Sequence, residues 1–222
     1  MKPTKDYEIT IMTTIIIADD HTMVRAGLRR LLDDVTDFDV VAEAASGEEA
    51  LQLARTLSPA CMLIDVLMPG MGGLEATRRI VRIRPETKII GVSTHVHGPY
   101  PLHVLASGAS GYLSKSCTPK ELIRAVRSVT HGQRYVNADV ACNLVVSGFE
   151  GNNTPIDELS KRELEVLVMV SSAQSQSQIA ERLSVSPKTV STYRTRICRK
   201  LDVSTDVELV HLALRYGLLE GL

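Results

Sequence analysis

The sequence predicts an α/β protein, a doubly wound five-stranded parallel sheet, joined to a second, smaller all-α domain of four helices. Three observations carry this. Short apolar, β-branched runs alternate five times with amphipathic helical stretches up to Gly132. Beyond Gly132 the periodicity is purely helical. Between the two patterns, Ser147-Gly148-Phe149-Glu150-Gly151-Asn152-Asn153-Thr154-Pro155 collects turn and linker residues, and 222 residues is long enough for two small domains.

The elements follow in order. Ile15-Ile16-Ile17-Ala18 reads as a strand buried on both faces, and it stops at Asp19-Asp20. Met23, Val24, Leu28, Leu31 and Leu32 recur at helical spacing over His21 to Leu32. Val40 to Ala45 reads as a strand, Gly47 to Leu57 as a helix, and Ala60 to Ile64 as a strand that ends at Asp65. Helix and strand alternate again over Leu74 to Ile83, Lys88 to Ser93, Leu102 to Ser107, Gly111 to Leu113 and Pro119 to Thr130. The second domain contributes helical stretches at Ser160 to Ser171, Gln176 to Leu183, Pro187 to Lys200 and Thr205 to Tyr216.

Composition removes several function classes. Apolar residues are 44% and charged residues 23%, as in an ordinary soluble globular protein. Lys plus Arg number 25 against 26 Asp plus Glu, so a nucleic-acid partner must be sought in local clusters rather than in net charge. With no Trp and two Phe, the chain has no aromatic platform for single-stranded bases. Cys61, Cys117, Cys142 and Cys198 form no Cys-x-x-Cys pair, and Cys61 reads as core. His95, His97 and His103 fall across a Gly/Pro-containing loop and read as surface residues. The uncharged stretch from Ile89 to Ser114 is broken by Pro99 and Pro101, and the apolar run from Ile9 to Ala18 follows Asp6 and Glu8. A cytoplasmic protein with no membrane partner is expected.

Ligands of open parallel sheets bind beyond the carboxyl ends of the strands, where strand order reverses. With the common order 2-1-3-4-5, Asp19 and Asp20 at the end of the first strand adjoin Asp65 at the end of the third. Three acids in one place repel by roughly a few kcal/mol per pair unless a cation joins them, and their hard oxygens suit Mg²⁺. Ser93 ends the fourth strand and Lys115 follows the fifth, which adds a hydroxyl and an ammonium. This set fits phosphoryl transfer to a carboxylate. Asp65 stands alone on the central strand and is the expected nucleophile, while paired Asp19 and Asp20 suit the metal.

These residues, with the Asp65-Val66-Leu67-Met68-Pro69-Gly70 turn and Gly111-Tyr112-Leu113-Ser114-Lys115, resemble the flavodoxin-like receiver domain of bacterial two-component response regulators. The resemblance implies that Asp65 is phosphorylated, that Asp20, Asp65 and the Leu67 carbonyl ligate Mg²⁺ with Asp19 acting through water, and that Ser93 and Tyr112 reorient on phosphorylation.

From Arg182 to Lys200 the chain carries six basic residues, Arg182, Lys188, Arg194, Arg196, Arg199 and Lys200, and no acid. Ser186 and Pro187 are a good N-cap and first helical residue, so two helices meet across a tight turn as a helix-turn-helix. With Val190, Ile197 and Leu201 inward, Lys188, Ser191, Thr192, Thr195 and Arg199 share the opposite face, which would enter the major groove of duplex DNA. Lys188, Arg194, Arg196, Arg199 and Lys200 are expected on phosphates. Ser191, Thr192 and Thr195 are expected at base edges. Leu159-Ser160-Lys161-Arg162-Glu163-Leu164-Glu165-Val166-Leu167, Ile179-Ala180-Glu181-Arg182-Leu183 and Ser186-Pro187-Lys188-Thr189-Val190 resemble the LuxR-type DNA-binding domain, which adds Thr189 to the DNA-contacting set. Ala173 to Gln178 departs from that family, where a Gly and a charged residue are usual.

The two resemblances together imply the NarL/FixJ family of response regulators. Gly72-Gly73-Leu74-Glu75-Ala76-Thr77-Arg78, Gly132-Gln133-Arg134-Tyr135 and Ser204-Thr205-Asp206-Val207-Glu208-Leu209 resemble its GacA/UvrY branch. The expected organisation is a receiver at 13–132, a linker with a short helix at 133–155 and a DNA-binding domain at 156–222. Expected partners are promoter DNA, a sensor histidine kinase, RNA polymerase and, on phosphorylation, a second copy. A dimer surface is expected at Val207, Val210 and Leu214, which share one stripe of the last helix, and phosphorylation is expected to free that surface from the receiver. A non-enzyme is expected. An aspartyl-phosphate phosphatase would need an acid two residues after the nucleophile, where Leu67 stands. A phosphorylation-independent DNA-binding protein would have no use for the acid pocket and Lys115.

Overall fold

The structure, a computed structural model, describes residues 12–96, 100–138, 140–142, 155–216 and 218. Strands β1 (Thr13–Ala18), β2 (Phe38–Ala44), β3 (Cys61–Asp65), β4 (Lys88–Ser93) and β5 (Gly111–Ser114) alternate with helices α1 (Thr22–Asp33), α2 (Gly47–Leu57), α3 (Gly73–Ile83), α4 (Tyr100–Ala106) and α5 (Pro119–Thr130). The sheet order is β2-β1-β3-β4-β5, with a sixth strand, β6 (Tyr135–Val136), beyond β5 and every pairing parallel. Order therefore reverses between β1 and β3, as the carboxylate argument required.

The sixth strand, β6 (Tyr135–Val136), corrects the expectation of five strands and of purely helical periodicity after Gly132. Two residues are too few for an alternating pattern to register in a sequence. The Tyr135 amide donates to the Ser110 carbonyl at 3.1 Å, and a Cβ on Gly111 would lie 2.7 Å from the Tyr135 carbonyl oxygen. A side chain at Gly111 would push this edge strand away.

Apolar side chains fill both faces of the sheet. Ile15, Ile17, Leu63, Ile90 and Leu113 pack with Leu32, Leu122, Val126 and Val129 of α1 and α5. Ile16, Ala18, Met62 and Ile64 pack on the other face with residues of α2, α3 and α4. Both sides of each central strand are buried, which is why β1 and β3 read as continuous rather than alternating runs.

The second domain begins with a 3-10 turn at Pro155–Glu158, followed by α6 (Lys161–Ser171), α7 (Gln176–Arg182), α8 (Pro187–Leu201) and α9 (Asp206–Arg215). Ser160, Ser175 and Thr205 each form a reciprocal capping box, with Glu163, Gln178 and Glu208. The Ala173–Gln178 departure is accommodated there. Ala173 takes the left-handed conformation (φ 58°) in which glycine is usual, and the Ser175–Gln178 box starts α7. Residues 138 and 140–142 are helical, within the stretch expected to hold a short linker helix, while 143–154 lie outside the described residues.

The apolar cluster on the α2–α3–α4 side of the sheet continues into the helical domain, taking in Leu164, Leu167, Ile179 and Leu183 beside Val66, Met68 and Leu74. The two domains are docked, and the contact lies at the carboxyl end of β3.

Candidate functional site

Asp19, Asp20 and Asp65 converge as the strand order requires. One oxygen of each, with Nδ1 or Nε2 of His21, lies within 4.8 Å of the others. Asp19 and Asp65 are 1% and 4% exposed, so neither carboxylate has bulk water to screen it. Lys115 from the end of β5 supplies the compensating charge, with Nζ 2.7 Å from Asp19 Oδ2 and 2.9 Å from Asp65 Oδ2. The Leu67 amide donates to Asp65 Oδ1 at 3.2 Å, and the His21 amide donates to Asp19 Oδ1 at 2.8 Å. The β3–α3 turn is held close to the acid by Gly73, whose Cβ position lies 1.7 Å from the Asp65 carbonyl oxygen. No side chain fits there.

The other expected residues surround this centre. Ser93 is buried and its Oγ accepts from the His95 amide at 3.1 Å. Tyr112 is buried on β5, and its hydroxyl donates to the His95 carbonyl at 2.5 Å, so both residues meet the β4–α4 loop. His21 was not anticipated. Its Nδ1 lies 2.9 Å from Asp20 Oδ1 and 3.2 Å from Asp19 Oδ1, and the only signal for it was adjacency to the acid pair.

Burial pushes the Asp65 carboxyl up to about 6; Lys115 pulls it down and Asp19 adds to the rise. For Lys115, burial favours the neutral amine, but Asp65 and Asp19 outweigh it and hold the ammonium above its usual range. The Asp65 rise fixes a sign. A carboxyl that holds its proton more tightly when folded contributes stability that is full below about pH 4 and is lost as pH rises through about 6. In the presence of a chelator, Asp65→Asn should therefore gain on the wild type by up to about 3 kcal/mol between pH 4 and pH 7. Urea unfolding across that range measures the gain, and a difference independent of pH would show that Asp65 is not held in this state.

The same donor set suits Mg²⁺. Asp19 Oδ2 and Asp20 Oδ1 are buried oxygens without an aligned hydrogen bond, although Lys115 and His21 lie within ion-pair distance. Three carboxylates face one lysine and one guanidinium, Arg182. Hard, under-satisfied oxygens with excess negative charge fit a small divalent cation.

In the helical domain, Ser186 Oγ accepts from the Thr189 amide at 3.1 Å and Pro187 opens α8. Lys188, Ser191, Thr192, Thr195, Arg196 and Arg199 are exposed. Thr189 is half-buried, its hydroxyl 2.8 Å from that of Ser186. Two expected phosphate contacts point elsewhere. Arg194 pairs with Asp206 on α9, and Lys200 Nζ donates to Glu163 Oε2 at 2.7 Å and to the Glu158 carbonyl at 2.9 Å. Position 194 falls at i+4 from Val190 and i−3 from Ile197, so it lies on the inward stripe. The spacing already carried that signal.

On α9, Leu209 and Ala213 are buried, Val210 is half-buried, and Val207 and Leu214 are 65% and 44% exposed. The receiver therefore does not cover Val207 and Leu214, which corrects the expectation that phosphorylation uncovers this stripe. Its contact with the helical domain is made by α6 and the end of α7 instead. Arg162 Nη2 donates to the Gly70 carbonyl at 2.8 Å, the Gly70 amide donates to the Arg182 carbonyl at 2.7 Å, and Lys161 Nζ donates to Ser107 Oγ at 2.6 Å.

Comparison with known proteins agrees with both halves. Residues 15–127 match the response regulator receiver domain, and residues 157–213 match the bacterial regulatory proteins of the luxR family. The chain is 46% identical to the response regulator UvrY of Escherichia coli K12 over 93% of its own length and 96% of that protein. It is 43% identical to the response regulator GacA of Pseudomonas viridiflava, over 95% and 99%. Among solved structures, RcsB of Salmonella enterica serovar Typhimurium bound to the rprA promoter in the presence of the phosphomimetic BeF3⁻ aligns with a TM-score of 0.67 at 25% identity, over 94% of this chain and all of that one. The chain thus belongs to the response regulators that join a receiver domain to a LuxR-family DNA-binding domain, and it is a transcription factor of the UvrY/GacA type.

Proposed function

We propose that Asp65 accepts a phosphoryl group from the phosphohistidine of a sensor kinase, and that the phosphorylated chain binds promoter DNA as a dimer through α8. The observation that carries this reading is Lys115 bridging Asp19 and Asp65 at the carboxyl ends of the strands. In the transfer, an Asp65 carboxylate oxygen forms the new bond to phosphorus as the donor nitrogen leaves. Lys115 balances the charge on the phosphoryl oxygens, and the Leu67 amide holds the other Asp65 oxygen in place. Bound through Asp19, Asp20, Asp65 and the Leu67 carbonyl, Mg²⁺ would neutralise further phosphoryl charge. The Ser93 hydroxyl then becomes a donor to the phosphoryl group, and Tyr112, tied to the same loop, moves with it. Leu67 offers no acid–base group to hydrolyse the phosphoaspartate, so the site stores the group rather than turning it over.

Lys188, Arg196 and Arg199 hold phosphates in this reading, Ser191, Thr192 and Thr195 read base edges, and Thr189 flanks them at the start of α8. Arg194 and Lys200 join the phosphate set once their intradomain carboxylates release them. Val207, Val210 and Leu214 form the face between two copies, which then recruit RNA polymerase to the promoter in the cytoplasm. Footprinting with and without a small phosphodonor tests the scheme. Phosphorylated protein should protect two half-sites about one DNA turn apart, and unphosphorylated protein much less. Equal protection would exclude phosphorylation as the control.

A further inference from the structure

The domain contact brings one group of the helical domain into the acid pocket itself. Arg182, the last residue of α7, places Nη2 3.3 Å from Asp20 Oδ2 and 3.4 Å from the Leu67 carbonyl oxygen. Those are two of the oxygens assigned above to Mg²⁺. The guanidinium is about one-third exposed, its Nε is buried without a hydrogen bond, and neither contact is short or bidentate. It is a loosely bound cation at a site whose charge and donor atoms suit a smaller, doubly charged one. The segment that carries it is fixed on both sides of Gly70, through the Gly70 amide to the Arg182 carbonyl and through Arg162 to the Gly70 and Leu183 carbonyls. Gly70 sits in the turn that also positions Leu67, so the oxygen set and the docked helix share one stretch of backbone.

We infer that Arg182 is a tethered occupant of the cation site, and that Mg²⁺ and the docked DNA-binding domain compete for Asp20 and the Leu67 carbonyl. Binding of Mg²⁺, before any phosphoryl transfer, then loosens the domain contact, and the docked domain weakens Mg²⁺ binding by the same factor. The device does not uncover α8, whose exposed face is already free of the receiver. It changes how freely the DNA-binding domain moves relative to the receiver. This inference rests on the reading of the pocket as a Mg²⁺ site.

The test uses the full-length chain, with MgCl2 alone as the ligand at constant ionic strength. Calorimetric titration should show Arg182→Ala and Arg182→Gln binding Mg²⁺ at least about fivefold more tightly than wild type, with Arg215→Ala, which removes a charge from α9, unchanged. Small-angle scattering should show the wild-type radius of gyration rising on addition of Mg²⁺, whereas both Arg182 variants are already expanded and do not respond. Equal Mg²⁺ affinity in wild type and the Arg182 variants would overturn the competition while leaving the metal site intact. Absence of Mg²⁺ binding in every protein would remove the metal site and the inference with it.

Discussion

Asp65→Asn abolishes phosphoryl uptake from acetyl phosphate in the presence of Mg²⁺, whereas wild type incorporates one group as an acid-stable, base-labile acyl phosphate. The expectation is all-or-none because the amide nitrogen and oxygen that replace the carboxylate keep its shape and remove its nucleophile. Lys115→Ala should leave the nucleophile in place but lower the rate by about 10²-fold or more, since the ammonium lies 2.9 Å from Asp65 Oδ2 and 2.7 Å from Asp19 Oδ2. Intact-mass measurement over time separates the two, and full labelling of Asp65→Asn would remove Asp65 from its role. The Lys115 variant also loses the cation that offsets two buried carboxylates, so its melting temperature must be read beside its rate.

The acid pocket was legible because it depends on strand ends. A run such as Ile15-Ile16-Ile17-Ala18, buried on both faces, can end at only a few residues, and those residues carry the chemistry. Doubly wound order then makes β1 and β3 neighbours without any knowledge of side-chain packing. Arg182 was illegible for the opposite reason. Within the sequence it is one of six cations in a basic run, and its assignment to the receiver depends on a domain contact that leaves no periodic trace. Arg194 and Lys200 lie between these cases. The stripe Val190, Ile197 and Leu201 places position 194 inward, its charge type suits the outer face, and in the structure it pairs with Asp206. Two-residue β6 escaped because its existence depends on space left by Gly111 rather than on its own pattern.

The second large effect is expected on DNA. Lys188, Ser191, Thr192, Thr195 and Arg199 occupy one exposed face of α8, with Arg196 beside it, and the two threonine hydroxyls donate to their own helix, Thr192 to the Lys188 carbonyl at 3.0 Å and Thr195 to the Ser191 carbonyl at 3.1 Å. Those bonds leave the hydroxyl oxygens able to accept, and each proton can be redirected to a base edge by rotation about one bond. Lys188→Ala and Arg196→Ala should each weaken binding to every duplex by about tenfold near physiological salt. Each should also reduce the slope of log affinity against log salt by about 1, as loss of one phosphate contact requires. Thr192→Ala and Thr195→Ala should leave that slope unchanged and alter the preferred base at one position per half-site, at a cost of about 1–3 kcal/mol for the cognate sequence. Arg194→Ala gives a third signature. Its guanidinium is held by Asp206, so the variant should lower the stability of the helical domain before it lowers affinity. Binding measured across a salt series on cognate and scrambled duplexes distinguishes the three. If Lys188 and Thr192 variants changed slope and preference alike, the division of α8 into a phosphate-holding set and a base-reading set would fail, and the helix would have to lie in the groove at a different angle.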